Sequence, residues 1–113
     1  MVSIETVRKL ALDFDEAEEL PHFEKNSFRI RKKIFATLDM EKNRACVKLS
    51  EIDQSVFSAF DPSVIYPIPN KWGKLGWTFI ELKKVRKDMF KDALTQAYCE
   101  VAPKALADKY KRA

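Results

Sequence analysis

His22–Ser50, HFEKNSFRIRKKIFATLDMEKNRACVKLS, carries three runs in which apolar residues occupy every second position. Phe28 and Ile30 alternate with Arg29 and Arg31; Ile34, Ala36 and Leu38 alternate with Phe35, Thr37 and Asp39; Val47 and Leu49 alternate with Cys46 and Lys48. A period of two belongs to strands, whose successive side chains point to opposite sides of a sheet. Breaks at Lys32-Lys33 and at Glu41-Lys42-Asn43 separate the runs, so the stretch predicts three antiparallel strands with one aliphatic face. The parity sends Ile30, Leu38 and Leu49, with Ile80 and Leu82 further on, towards a helical layer. It sends Arg29, Arg31, Phe35, Thr37, Lys48, Trp77 and Phe79 to the opposite face, which is then aromatic and basic together.

Outward from this stretch the pattern turns helical on both sides. Upstream, SIETVRKLAL offers Ser3 as a cap, Glu5 in the first turn, and Ile4, Val7, Leu10 and Ala11 at amphipathic spacing, predicting a helix to about Leu12. The acidic run from Asp13 is a connector facing away from the basic strand, ending at Leu20-Pro21, where proline disfavours helix at the residue before it. Downstream, Ser50 followed by Asp53 opens a helix through Phe60 whose apolar side, Ile52, Val56, Ala59 and Phe60, is expected to dock on the sheet. VIYPIPNKWGKLGW is too proline-rich for a regular element, and WTFIEL resumes the strand alternation. Val85, Met89, Ala93, Ala97 and Val101, joined by Phe90, Leu94 and Tyr98, form the wide apolar stripe of a long helix. A short helix starting at Pro103 follows. Helix, strands, helix, strand and helices make a two-layer α+β domain with an antiparallel sheet.

The totals allow one such domain, residues 1–113, because 113 residues with 46% apolar content build a single core and would starve two. No apolar run reaches the ~20 residues that span a bilayer, and MVSIETVRKL lacks a secretion signal, so the expected address is the cytoplasm without membrane attachment. The net charge of +4 is uneven. Residues 1–60 carry 10 Lys/Arg against 11 Asp/Glu, and residues 61–113 carry 11 against 6. Asp13–Glu24 has six acids and no Lys or Arg, whereas Lys25–Lys33 has five bases and no acid. A basic excess permits phosphate neutralisation without requiring it.

Catalytic and metal-binding chemistry finds little support. His22, the one histidine, has no recognisable nucleophile or carboxylate partner beside it in sequence and reads as structural. Cys46 and Cys99 sit among apolar residues as small buried hydrophobes, and one His with two distant Cys makes no metal-ligand spacing. No cofactor is expected. Both glycines and both tryptophans, by contrast, fall within Trp72–Trp77. Gly73 and Gly76 let the chain take positive φ and turn tightly, and Trp72 then either stands at a tip with Lys71 and Lys74 or folds back over the core.

In order, LPHFEKNSFRIRKKIFATL, VKLS, WGKLGWTFIELKKV and AYCEVAPKAL resemble the landmarks of the MmcQ/YjbR-like proteins, small bacterial domains, across about Leu10–Leu106. The resemblance implies a sheet of about five strands with helices packed on one face, an architecture related to frataxin-like and secretion-chaperone-like folds. One departure is the turn before KIFATL, which usually holds Gly and here reads Arg31-Lys32-Lys33, adding charge and leaving the turn type open. Asp15, Glu16, Glu18 and Glu19 are read as a solvated connector rather than the iron-holding ridge of frataxin-like folds. The family is described as DNA-binding, with a "double-wing" label. The expectation is accordingly a non-enzymatic DNA-binding protein that uses Arg29, Arg31, Lys32, Lys33, Lys48, Lys71, Trp72 and Lys74, the basic groups on phosphates and Trp72 on a base or sugar. A protein partner or a second copy on the open sheet face is the alternative. A third reading, a small molecule in a cleft between Trp72, Trp77 and His22, calls for a pocket rather than a flat face.

Overall fold

A computed structural model describes residues 1–110. Helix α1 (Ile4–Leu12) opens the chain, its Ser3 hydroxyl accepting from the Thr6 amide at 3.1 Å. Strands β1 (Ala17–His22), β2 (Lys25–Ile30), β3 (Lys33–Asp39) and β4 (Arg44–Lys48) form an antiparallel meander. Helix α2 (Glu51–Phe60) is capped by the Ser50 hydroxyl. It is followed by β5 (Ile65–Pro67), α3 (Lys71–Lys74), β6 (Trp77–Glu81), α4 (Lys87–Val101) and α5 (Lys104–Ala107). The six strands lie in the order β1-β2-β3-β4-β6-β5. No helix among the described residues is long and apolar enough to cross a membrane.

One face of the sheet is covered. Phe28, Ile30, Ala36, Leu38, Ala45, Val47 and Ile80 point at α1 and α4, which contribute Val7 and Ala11, and Phe90, Ala93, Leu94, Ala97 and Tyr98. At its end Tyr98 stacks on Phe14 at 4.6 Å and meets Phe35 and Tyr110 edge-on. The Tyr98 hydroxyl donates to the Asp15 carbonyl oxygen at 2.8 Å, satisfying the one polar atom that this buried ring carries. Burial pushes that phenol up to about 12.

Four sequence expectations are corrected. The acidic segment is not a connector turned away from the basic strand. Residues Ala17–His22 pair along β2, and Glu16 grips Arg31 while Glu19 holds Arg8. Pro21 is tolerated because β1 is an edge strand. The proline-rich segment does form regular structure, a three-residue edge strand and the short α3, since Pro67 likewise sits on an edge. Phe35 belongs to the covered face, fully buried, because a β-bulge opposite Phe28 and Arg29 inserts one residue into β3. The extra residue reverses parity before it, so Ile34 faces the open side with Thr37 and Asp39. Finally, α2 docks through Gln54, Phe57 and Ser58 and leaves Ile52 (76% exposed), Val56 (51%) and Phe60 (68%) in solvent.

Candidate nucleic-acid interface

Among the described residues the face opposite α4 is left open at its centre, with the short α3 at its border. Cross-strand register sets Ser27, Thr37, Cys46, Phe79 and Tyr66 in one row, and Lys48 opposite Trp77 in the next. In β6 burial alternates strictly, with Thr78 and Ile80 sealed and Trp77, Phe79 and Glu81 half-exposed. Arg29, Thr37, Lys48, Trp77 and Phe79 thus lie where the period-two reading puts them.

A trough of about 490 Å³ is sunk into this face. Its floor is Ile34, Thr37, Cys46 and Phe79. One wall is Ile68, Asn70, Trp72 and Trp77, and the other is His22 with Lys25. The three residues named for a small-molecule cleft do meet here. Lys25, Ile34, Cys46, Ile68 and Asn70 were not singled out in the sequence. Asn70 was findable as a cap residue ahead of Lys71-Trp72, whereas Ile34 was hidden by the bulge.

The wall is built by the two glycines. Asn70 Oδ1 accepts from the Trp72 amide at 2.8 Å and starts α3. A Cβ on Gly73 would stand 1.9 Å from the Ile68 carbonyl oxygen, so only glycine lets α3 fold back this closely. Gly76 has φ of 109° and would place a Cβ 1.9 Å from the Leu49 carbonyl oxygen. Gln54 of α2 pins the segment from behind, its Nε2 donating to the Gly73 carbonyl at 2.9 Å and to Thr78 Oγ1 at 3.1 Å. Trp72 is therefore neither a free tip nor a plug over the core. It is 49% exposed and forms a fixed wall of the trough.

The predicted basic residues divide into two sets. Arg31 is held by Glu16 through contacts of 3.1 and 3.2 Å, each group pushing the other's ionisation further from neutrality through that hydrogen bond. Arg29 is half-buried and donates to the Ser27 hydroxyl at 3.0 Å. Lys32 and Lys33, in contrast, are exposed at the β2–β3 turn, where Arg31 and Lys32 both have positive φ, as a two-residue turn of the I′ kind requires. Lys71 and Lys74 are exposed on α3, with Lys71 Nζ 5.7 Å from the centre of the Trp72 ring system. Lys48 is half-buried beside Gly76. The register puts the start of β3, the end of β4 and the start of β6 at the same end of the sheet, so these five lysines share that end.

At the far end, the Arg44 guanidinium lies 4.4 Å over Phe79 and 3.2 Å from Glu81, which also accepts from the Tyr66 hydroxyl. Burial, then that bond, raises the Tyr66 phenol above its usual range. Burial pushes the Cys46 thiol up to about 12, which keeps it protonated and a poor nucleophile. Among the described residues no group of three His, Cys, Asp or Glu side chains is placed to hold a metal ion.

A family model for YjbR matches residues 12–100. The chain belongs to the YjbR family. The crystal structure of Deinococcus radiodurans protein DR2400, a protein with a DUF419 domain, superposes with a TM-score of 0.79 at 17% identity, covering 97% of this chain and 88% of that one. At that identity the likeness speaks for the YjbR fold alone, which is the α+β sheet and helical layer described above. No curated protein matches the chain.

Proposed function

We propose that this YjbR-family chain binds nucleic acid, DNA in the first instance, through the open face of its sheet, and that it catalyses no reaction there. One observation carries the reading: five lysines, Lys32, Lys33, Lys48, Lys71 and Lys74, share the sheet end at which two tryptophans border an uncovered trough. Lysines neutralise phosphates and release condensed counterions, while aromatic faces accept bases, and the combination gives affinity with little sequence reading.

Anisotropy titration of a labelled oligonucleotide at low and raised salt tests this. If four lysines each meet a phosphate, affinity for a single strand falls roughly fifty-fold for a fourfold rise in salt. Lys71→Glu with Lys74→Glu should flatten that dependence, and Lys104→Glu, on α5, should not. Absence of binding at low salt overturns the reading. A second reading, association with a protein, is favoured by the exposed Ile52, Val56 and Phe60 of α2 rather than by the sheet face, and such apolar association is insensitive to salt.

A further inference from the structure

We infer that the trough is a seat for one unpaired nucleobase, so that the protein takes single strands in preference to duplex. This rests on the nucleic-acid reading and adds to it a ligand group and a selectivity. Charge alone would be indifferent to whether bases are present. The trough is not, because its volume of about 490 Å³ falls in the range of small-ligand pockets and its lining is mostly apolar, with Trp72, Trp77 and Phe79 in it.

Trp72 and Trp77 border the trough on one side, where an indole accepts a flat heterocycle by stacking, while Phe79, whose ring already carries the Arg44 guanidinium, lies in the floor. Polar side chains in the lining are few. Thr37 brings a hydroxyl to the floor and Lys25 an ammonium to the opposite wall. Asn70 spends its side-chain oxygen on the Trp72 amide, and its amide N–H groups remain as donors. A base stacked by one face on the indole wall would turn an edge to Thr37 in the floor, with Asn70 beside the indoles and Lys25 across the trough. A base inside a duplex has that edge committed to its partner and both faces stacked, and it enters only after being flipped out.

The seat is preformed. Gly73 and Gly76 allow contacts that a side chain would forbid, and Gln54 fastens α3 to the sheet, so Trp72 need not be ordered when a base arrives. Lys71 and Lys74 stand on the same short helix, where the phosphates flanking a seated base would pass.

The test compares three ligands on the full chain at low salt: a short oligothymidylate, a strand of equal length built of abasic sugar-phosphate units, and a duplex. The expected result is at least about tenfold tighter binding of the thymidylate than of the other two, with quenching of indole fluorescence by the thymidylate alone. Trp72→Ala should remove the difference and Trp72→Phe should keep most of it, both with unchanged circular dichroism. Equal affinity for the abasic strand and the thymidylate overturns the base seat while leaving the charge-based reading standing. Failure of all three to bind overturns both.

Discussion

At Gly76 a backbone with φ of 109° meets a carbonyl oxygen that leaves no space for a methyl group. Gly76→Ala is therefore expected to destabilise the protein by on the order of 3 kcal/mol, the upper part of the range for backbone strain, as read by denaturant unfolding. Lys109 and Asp15 provide a second test at single residues. The Lys109 ammonium, 2.6 Å from the carboxylate, holds the Asp15 carboxyl below its ordinary 3.8. A carboxyl depressed in the folded state stabilises above its unfolded value and loses that contribution as pH falls through its folded one. Asp15→Asn should thus lower the melting temperature near neutral pH, and the gap from the parent protein should close below about pH 4, and at high salt because the pair is exposed. A gap that persists in acid would assign the effect to the backbone bonds of the Asp15 loop instead.

Two elements show where side-chain periodicity succeeds and where it stops. In β6 a run of alternating residues has no irregularity, and every side chain from Trp77 to Glu81 lies on the face that its position implies. In β3 one extra residue undoes the same rule, and nothing in KIFATLD marks it. Phe35→Ala should cost about 3–5 kcal/mol, as expected of a buried aromatic, where an open-face residue would cost far less. Helix α2 misleads differently. Its apolar stripe is regular, but the face that docks is chosen by what it meets, and Gln54 donates to the Gly73 and Trp77 carbonyls and the Thr78 hydroxyl at the α3–β6 corner, as no apolar residue could. Ile52→Gln and Val56→Gln should each change stability by no more than about 0.5 kcal/mol. Gln54→Ala removes the tie between α2 and this corner but leaves the Gly73 carbonyl accepting from the Gly76 amide and the Thr78 hydroxyl donating to the Gly76 carbonyl, so it should cost about 0.5–1.5 kcal/mol and shift the Trp72 emission. The candidate site was legible as far as the open face and its indoles. Its full lining was not, because the bulge in β3 turns Ile34 to the open face and the fold-back of α3 brings Ile68 and Asn70 onto it, neither of which periodicity shows.

Across the whole molecule, the two sides of the sheet have separate tasks. The helical side closes the core, and acids along β1 and its approach pair with Arg8, Arg31 and Lys109, which removes those cations from the supply available to a ligand. The uncompensated lysines of the β2–β3 turn and α3 remain at the trough end, giving a net charge of +4 a direction. The central claim is that a nucleic acid meets this protein on the open face. Amide chemical-shift mapping during titration with a short single strand tests it most directly. The predicted outcome is a set of shifts confined to residues 22–25, the β2–β3 turn, β3, β4, β6 and residues 68–77, growing with added strand. Shifts centred on α1, α4 or the exposed stripe of α2, or none at low salt, would contradict it.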